Sequence, residues 1–121
     1  MHMYNILICD DEKDIVAALK IYLSGEDYRL FAAYNGREAL DKLEKGPPFD
    51  LVMSDMWMPV MDGAELVRRI RADARFARLK VCAITADVEA RSNYRELGFD
   101  AVLLKPVTLD RMSDVFRELM A

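Results

Sequence analysis

The stretch FDLVMSDMWMPVMDG, residues 49–63, changes character in the middle. An apolar run of strand length, FDLVMS, stops at Asp55, and Pro59 and Gly63 then intervene before Leu66 and Ile70 begin a helical spacing. An acid placed just after a strand is most often a turn residue or a helix cap. Whether Asp55 is more than that depends on what the ends of the other strands carry.

Four further runs have strand length and strand composition: YNILIC (4–9), YRLFAA (28–33), KVCAIT (80–85) and DAVLL (100–104). Helical spacing fills the intervals. Ile15, Leu19 and Tyr22 recur on one face, as do Ala39 with Leu43, Leu66 with Ile70, Ala90 with Leu97, and Leu109, Met112, Phe116 and Leu119. Asn35 followed by Glu38 has capping-box spacing. Gly25, Gly46 and Gly98 stand where a left-handed residue would close the first, second and fourth helices.

Strict alternation of strand and helix predicts a single α/β domain over residues 1–121. The expected architecture is a doubly wound, flavodoxin-like fold with a five-stranded parallel sheet in the order 2-1-3-4-5 and five helices. Strands that are apolar almost throughout suit a sheet covered on both faces. The 121 residues, 53% of them hydrophobic, suffice for one core and are too few for two ordinary domains.

Composition removes several classes of function. A net charge of −4 gives no overall positive field for nucleic acid or an anionic membrane, and no apolar stretch approaches the roughly 20 residues of a membrane span. With no signal-peptide pattern at the start, a cytoplasmic location is expected. Cys9 and Cys82 lie inside apolar runs and read as buried thiols rather than metal ligands. His2 is the only histidine, which excludes histidine-based catalysis and multi-histidine metal sites.

In an open parallel sheet, ligands bind outside the carboxyl ends of the strands, where strand order reverses. Those ends carry Asp10, Asp11 and Glu12 after strand 1, Asp55 after strand 3, Thr85 after strand 4, and Lys105 with Pro106 after strand 5. Carboxylates crowded together repel, and a hard cation such as Mg²⁺ relieves the repulsion. A lysine and a threonine hydroxyl beside them suit phosphoryl oxygens, and a carboxylate can itself be the nucleophile in phosphoryl transfer. Asp55, central among these groups, is the candidate acceptor. Taken singly, Asp11 and Thr85 are more often helix caps and Lys105 a solvated charge; their coincidence at strand ends favours a site.

With DD at Asp10 and Asp11, D-x-x-M-P-x-M-D-G from Asp55 to Gly63, TA at Thr85 and Ala86, and KP at Lys105 and Pro106, the chain resembles the receiver domains of two-component response regulators, whose type is the chemotaxis-regulator-like fold. The resemblance covers essentially the whole chain. It implies a signalling phosphoacceptor rather than a turnover enzyme, taking a phosphoryl group onto Asp55 from a phosphohistidine on a sensor histidine kinase or a histidine phosphotransfer protein. It also implies Mg²⁺ held by Asp11, Asp55 and the backbone carbonyl of Trp57, with Asp10 acting through water. Thr85 and Lys105 would contact the phosphoryl oxygens, and Lys105-Pro106 becomes a candidate cis peptide. The family usually carries Phe or Tyr three residues before its lysine. Here that residue is Val102, which has no ring to swing, so output is expected to depend more on the loop from Thr85 to Glu89.

Three rival readings follow from the same residues. A Mg²⁺-dependent phosphatase with an aspartyl nucleophile would want a second acid two residues after Asp55, where Trp57 stands. A pseudo-receiver that docks without phosphorylation draws its support from Val102. The chain is otherwise a stand-alone regulator or a receiver cut from a hybrid sensor kinase or a longer regulator. The basic run Arg68, Arg69, Arg71, Arg75, Arg78 and Lys80 reads as a solvated helix face, and Met56, Met58 and Met61 as gap-filling packing.

Overall fold

The computed structural model describes residues 3–23 and 27–120. His2 and Gly25, to which the sequence reading gives roles, lie outside the described residues. Elements alternate throughout: β1 (Tyr4–Cys9), α1 (Lys13–Tyr22), β2 (Tyr28–Ala33), α2 (Gly36–Lys45), β3 (Leu51–Asp55), α3 (Gly63–Ala72), β4 (Lys80–Thr85), α4 (Ala90–Leu97), β5 (Ala101–Leu104) and α5 (Leu109–Met120). The strands form one parallel sheet in the order β2-β1-β3-β4-β5, as expected for a doubly wound fold. β3 begins at Leu51, later than the apolar run suggests; Asp50 before it donates its amide to the Asn5 carbonyl and accepts from the Asn5 amide at Oδ2, each at 2.8 Å.

Alternation along each strand divides the core in two. Ile6, Ile8, Met53 and Ile84 face α1 and α5, where Val16, Leu19, Met112 and Phe116 cover them. Leu7, Val52, Val81 and Ala83 face the other layer, closed by Ala39, Leu43, Leu66, Val67 and Ile70 of α2 and α3. Burying each large aliphatic side chain is worth roughly 1.5–3 kcal/mol against leaving it exposed, so the two layers fix strand order more firmly than any single polar contact. Met61 is buried and Met56 and Met58 pack beside this second layer, in keeping with a filling role. Tyr22 and Leu109, expected on core faces, are exposed because they occupy the last turn of α1 and the first of α5, beyond the reach of the sheet.

Local signals behave as their chemistry dictates. The Asn35 side chain caps α2 by accepting from the Glu38 amide at 2.9 Å, and its own amide nitrogen donates back to Glu38 Oε2 at 3.2 Å. Asp62 caps α3 in the same manner, accepting from the Glu65 amide at 2.9 Å. Gly98 adopts φ 110°, the left-handed conformation expected after α4. Gly46 does not: its φ is −89°, since the chain leaves α2 in an extended conformation towards Pro47 and Pro48. Among the described residues, no helix is long and apolar enough to cross a membrane.

Candidate functional site

The carboxyl ends of β1, β3, β4 and β5 meet at one edge, as their order in the sheet requires. Asp10 follows β1 and is fully buried, held by its amide on the Ala33 carbonyl and by Oδ1 accepting from the Glu12 amide at 2.9 Å. Asp55 is the last residue of β3 and also buried, so it is a strand residue rather than the start of a loop. Asp55 Oδ1 accepts from the Trp57 amide at 3.3 Å, which folds the chain back over the carboxylate. Asp11 is exposed, yet its carboxylate, with those of Asp10 and Asp55, offers oxygens that all lie within 4.8 Å of one another.

One cation serves this cluster among the described residues. The Lys105 backbone amide donates to the Thr85 carbonyl at 2.8 Å, which places the side chain at the β4–β5 end of the site. From there Nζ reaches 3.2 Å from Asp10 Oδ2, 3.3 Å from Asp55 Oδ2 and 3.5 Å from Glu12 Oε1. The Lys105-Pro106 peptide is cis. Burial alone would lower the lysine's pKa, but the charges of Asp10 and Asp55 outweigh it and hold the ammonium above its ordinary range. Asp10 is also pushed up, first by burial and then by the Asp55 charge, with the Glu12 amide and Lys105 offsetting only part of this.

The compensation is incomplete in geometry as well as in charge. Asp10 Oδ2 is buried and, despite lying near Lys105, makes no hydrogen bond of acceptable direction. A buried carboxylate oxygen aimed at two other carboxylates, with one shared ammonium between them, is a donor set that suits a hard divalent cation. The residues therefore fit Mg²⁺. Thr85, fully buried at the end of β4, uses Oγ1 to accept from the Asp87 amide at 3.1 Å, leaving its own hydroxyl proton for an acceptor. It does not cap α4, whose cap residue is Glu89. Asp11 does not cap α1 either; Glu12 occupies that place without a side-chain bond.

The loop behind Asp55 is held by close backbone contact. A Cβ on Gly63 would lie 2.3 Å from the Asp55 carbonyl oxygen, so only glycine lets α3 start against the end of β3. Ser54, buried beside it, donates from Oγ to that same carbonyl at 3.0 Å. Val60 takes φ 69°, uncommon for a β-branched residue, and the Met61 amide bonds back to the Pro59 carbonyl at 2.7 Å across it. The Trp57 indole is 67% exposed and does not pack into the core. Ser54 carries no role in the sequence reading, Glu12 appears there only as a strand-end acid and Asp62 only as part of the motif that ends at Gly63. Of these only Asp62, three residues before Glu65, has a capping signal legible in the sequence.

Both cysteines are buried and free. Burial pushes the Cys82 thiol up to about 12 and Cys9 higher still, which marks them as packing residues and not as reactive groups.

The same architecture recurs among known proteins. The chain is 34% identical to the response regulator Rre1 of Synechocystis over 97% of its own length and 52% of that protein's. It is 33% identical to the sporulation initiation phosphotransferase F of Bacillus subtilis, covering 93% of this chain and 90% of the relative. Against several of the curated relatives it spans about half of their length or less. Among solved structures, the chemotaxis response regulator CheY4 of Vibrio cholerae superposes with a TM-score of 0.88 at 27% identity, over 97% of this chain and 98% of that one. TrrA of Thermotoga maritima, solved in complex with Mg²⁺ and BeF, matches with a TM-score of 0.85 at 33% identity, over 97% and 99%. The family model for the response regulator receiver domain matches residues 6–117, so the chain belongs to the receiver-domain family of two-component response regulators.

Proposed function

We propose that Asp55 accepts a phosphoryl group from a phosphohistidine donor and that residues 1–121 act as one receiver domain whose phosphorylation changes partner binding. The observation that carries this is the cluster of the buried Asp10 and Asp55 with the half-buried Lys105, in which Asp10 Oδ2 makes no hydrogen bond of acceptable direction. Asp11, Asp55 and the Trp57 carbonyl would hold Mg²⁺, and Asp10 would act through water. When bound, the ion supplies positive charge between the carboxylates and the phosphoryl oxygens.

The chain's own groups do the rest. An Asp55 carboxylate oxygen forms the new O–P bond as the N–P bond of the donor imidazole breaks, and the electron pair leaves with the imidazole nitrogen. Lys105, already against Asp55 Oδ2, provides fixed positive charge for the oxygens of the transferred group. Thr85 directs its free hydroxyl proton at another. The donor is a sensor histidine kinase or a histidine phosphotransfer protein in the cytoplasm. The phosphorylated state is read by a fused output domain or by a separate protein, since relatives of both lengths occur. Val102, half-buried against the second core layer, offers no ring to couple Thr85 to the β5 surface, which leaves the exposed loop from Ala86 to Glu89 as the segment that reports phosphorylation.

Intact-mass measurement after incubation with Mg²⁺ and acetyl phosphate tests the assignment. One phosphoryl group, removed by hydroxylamine and absent from Asp55→Asn, is the expected result. Equal incorporation into Asp55→Asn, or none into the wild type when Mg²⁺ binding is demonstrated, would overturn it.

A further inference from the structure

A second charged concavity lies at the opposite, amino end of the sheet, between the segment before β4 and the turn before β5. It is a shallow, open concavity of about 660 Å³ lined by Arg71, Arg78, Lys80 and Arg95, with Phe99 and Asp100 among its other walls. Asp100 is the one acid in the lining, and it is already committed: Oδ2 accepts from Arg71 at 2.7 Å and from the Val81 amide at 2.9 Å. Arg71 is committed too, donating to the carbonyls of Gly98, Ala77 and Leu79. These bonds tie the floor of the cleft to α3, β4 and the turn before β5, so its shape is preset.

The three remaining cations have a different status. Arg78, Lys80 and Arg95 are exposed and form no ion pair among the described residues. Other arginines of the basic run have acidic partners: Arg68 and Arg69 share Glu65, and Arg75 meets Asp73 and Glu44. A chain whose net charge is −4 thus gathers unpaired positive charge in one preformed cleft.

We infer that this cleft is a docking site for an acidic peptide segment of a partner protein, separate from the phosphoacceptor site and independent of it. Carboxylates match the guanidinium fork of Arg78 and Arg95 and the point charge of Lys80. A single-stranded nucleic acid would want aromatic faces on which bases stack. Here Phe99 is buried, and Tyr94 is covered by the Arg95 guanidinium, 5.1 Å from the ring centroid. A duplex or an anionic bilayer presents a broad negative surface, against which the protein's overall negative charge works. A short acidic segment entering a cleft of this size avoids that penalty.

The test is titration of the full chain with a short oligo-glutamate peptide capped at both ends, followed by amide chemical shifts and repeated with a single-stranded oligonucleotide and with phosphatidylglycerol-containing vesicles. Saturable shifts confined to residues 77–80 and 95–100 are expected, weakening as salt is raised. Arg78→Glu with Arg95→Glu should weaken peptide binding about tenfold or more while leaving the melting temperature and acetyl phosphate labelling of Asp55 unchanged. Arg68→Glu, which makes a charge change of the same sign outside the cleft, should have little effect. The proposal is overturned if the peptide does not saturate, if Arg68→Glu weakens it as much as the cleft variant, or if the oligonucleotide or the vesicles bind the same residues more tightly than the peptide does.

Discussion

The two ends of the sheet use ions in opposite ways. At the amino end Arg71 makes four hydrogen bonds, three to carbonyls and one to Asp100, whose Oδ2 is shared with the Val81 amide. At the carboxyl end Lys105 is divided among Asp10, Glu12 and Asp55, and Asp10 Oδ2, though 3.2 Å from the ammonium, makes no hydrogen bond of acceptable direction. A charge that is fully bonded holds a fold together. One that is buried and incompletely bonded costs stability, and it persists where an ion or a reacting group will complete it.

Removing the arginine should therefore do the most damage. Arg71→Met leaves Asp100 and three carbonyls to find water, and chemical denaturation should show a loss of roughly 3 kcal/mol, at the low end for a broken pair because the site is partly exposed. Arg71→Lys, with one point charge in place of a fork, should recover less than half of that. A loss below about 0.5 kcal/mol would mean that the amino end is no clamp.

Gly63→Ala probes the scaffold of the other end. The added methyl meets the Asp55 carbonyl, so β3 and α3 must part, at a cost of roughly 1–3 kcal/mol. Because the displaced backbone belongs to Asp55 itself, labelling by acetyl phosphate should slow as well, whereas Arg71→Met should leave labelling of the folded fraction nearly unaffected. Equal slowing in both variants would erase the distinction between clamp and reactive site.

The two ends also differ in how far the sequence discloses them. Asp10, Asp55, Thr85 and Lys105 are legible because each stands at the end of an apolar run, and alternation of strand and helix is enough to bring those ends to one edge. Nothing local marks Arg71. It sits in a basic run that reads as a solvated face, and only the tertiary placement of the turn at Gly98 to Asp100 against the last turn of α3 turns it inward. The same blindness explains Gly46, whose extended conformation follows from the path to β3, and Tyr22, whose helical spacing is right but whose turn overhangs the sheet. Periodicity assigns faces; it does not reveal which element ends lie beside one another.

The carboxylates of Asp10, Asp11 and Asp55 outnumber the single ammonium of Lys105 and suit a divalent cation. Thermal or chemical denaturation of wild type and Asp10→Asn, each with and without saturating Mg²⁺, tests this most directly. Asp10 carries a carboxylate that burial and Asp55 hold in an unfavourable charged form, so its neutral isostere should be more stable than wild type by about 1 kcal/mol in the absence of metal. Lys105 keeps Asp55 and Glu12 as partners in that variant. With Mg²⁺ at about a hundred times its dissociation constant, wild type should gain close to 3 kcal/mol and the variant much less, so that the order reverses. Wild type more stable than Asp10→Asn under both conditions, or a variant stabilised by Mg²⁺ as much as wild type, would contradict the account.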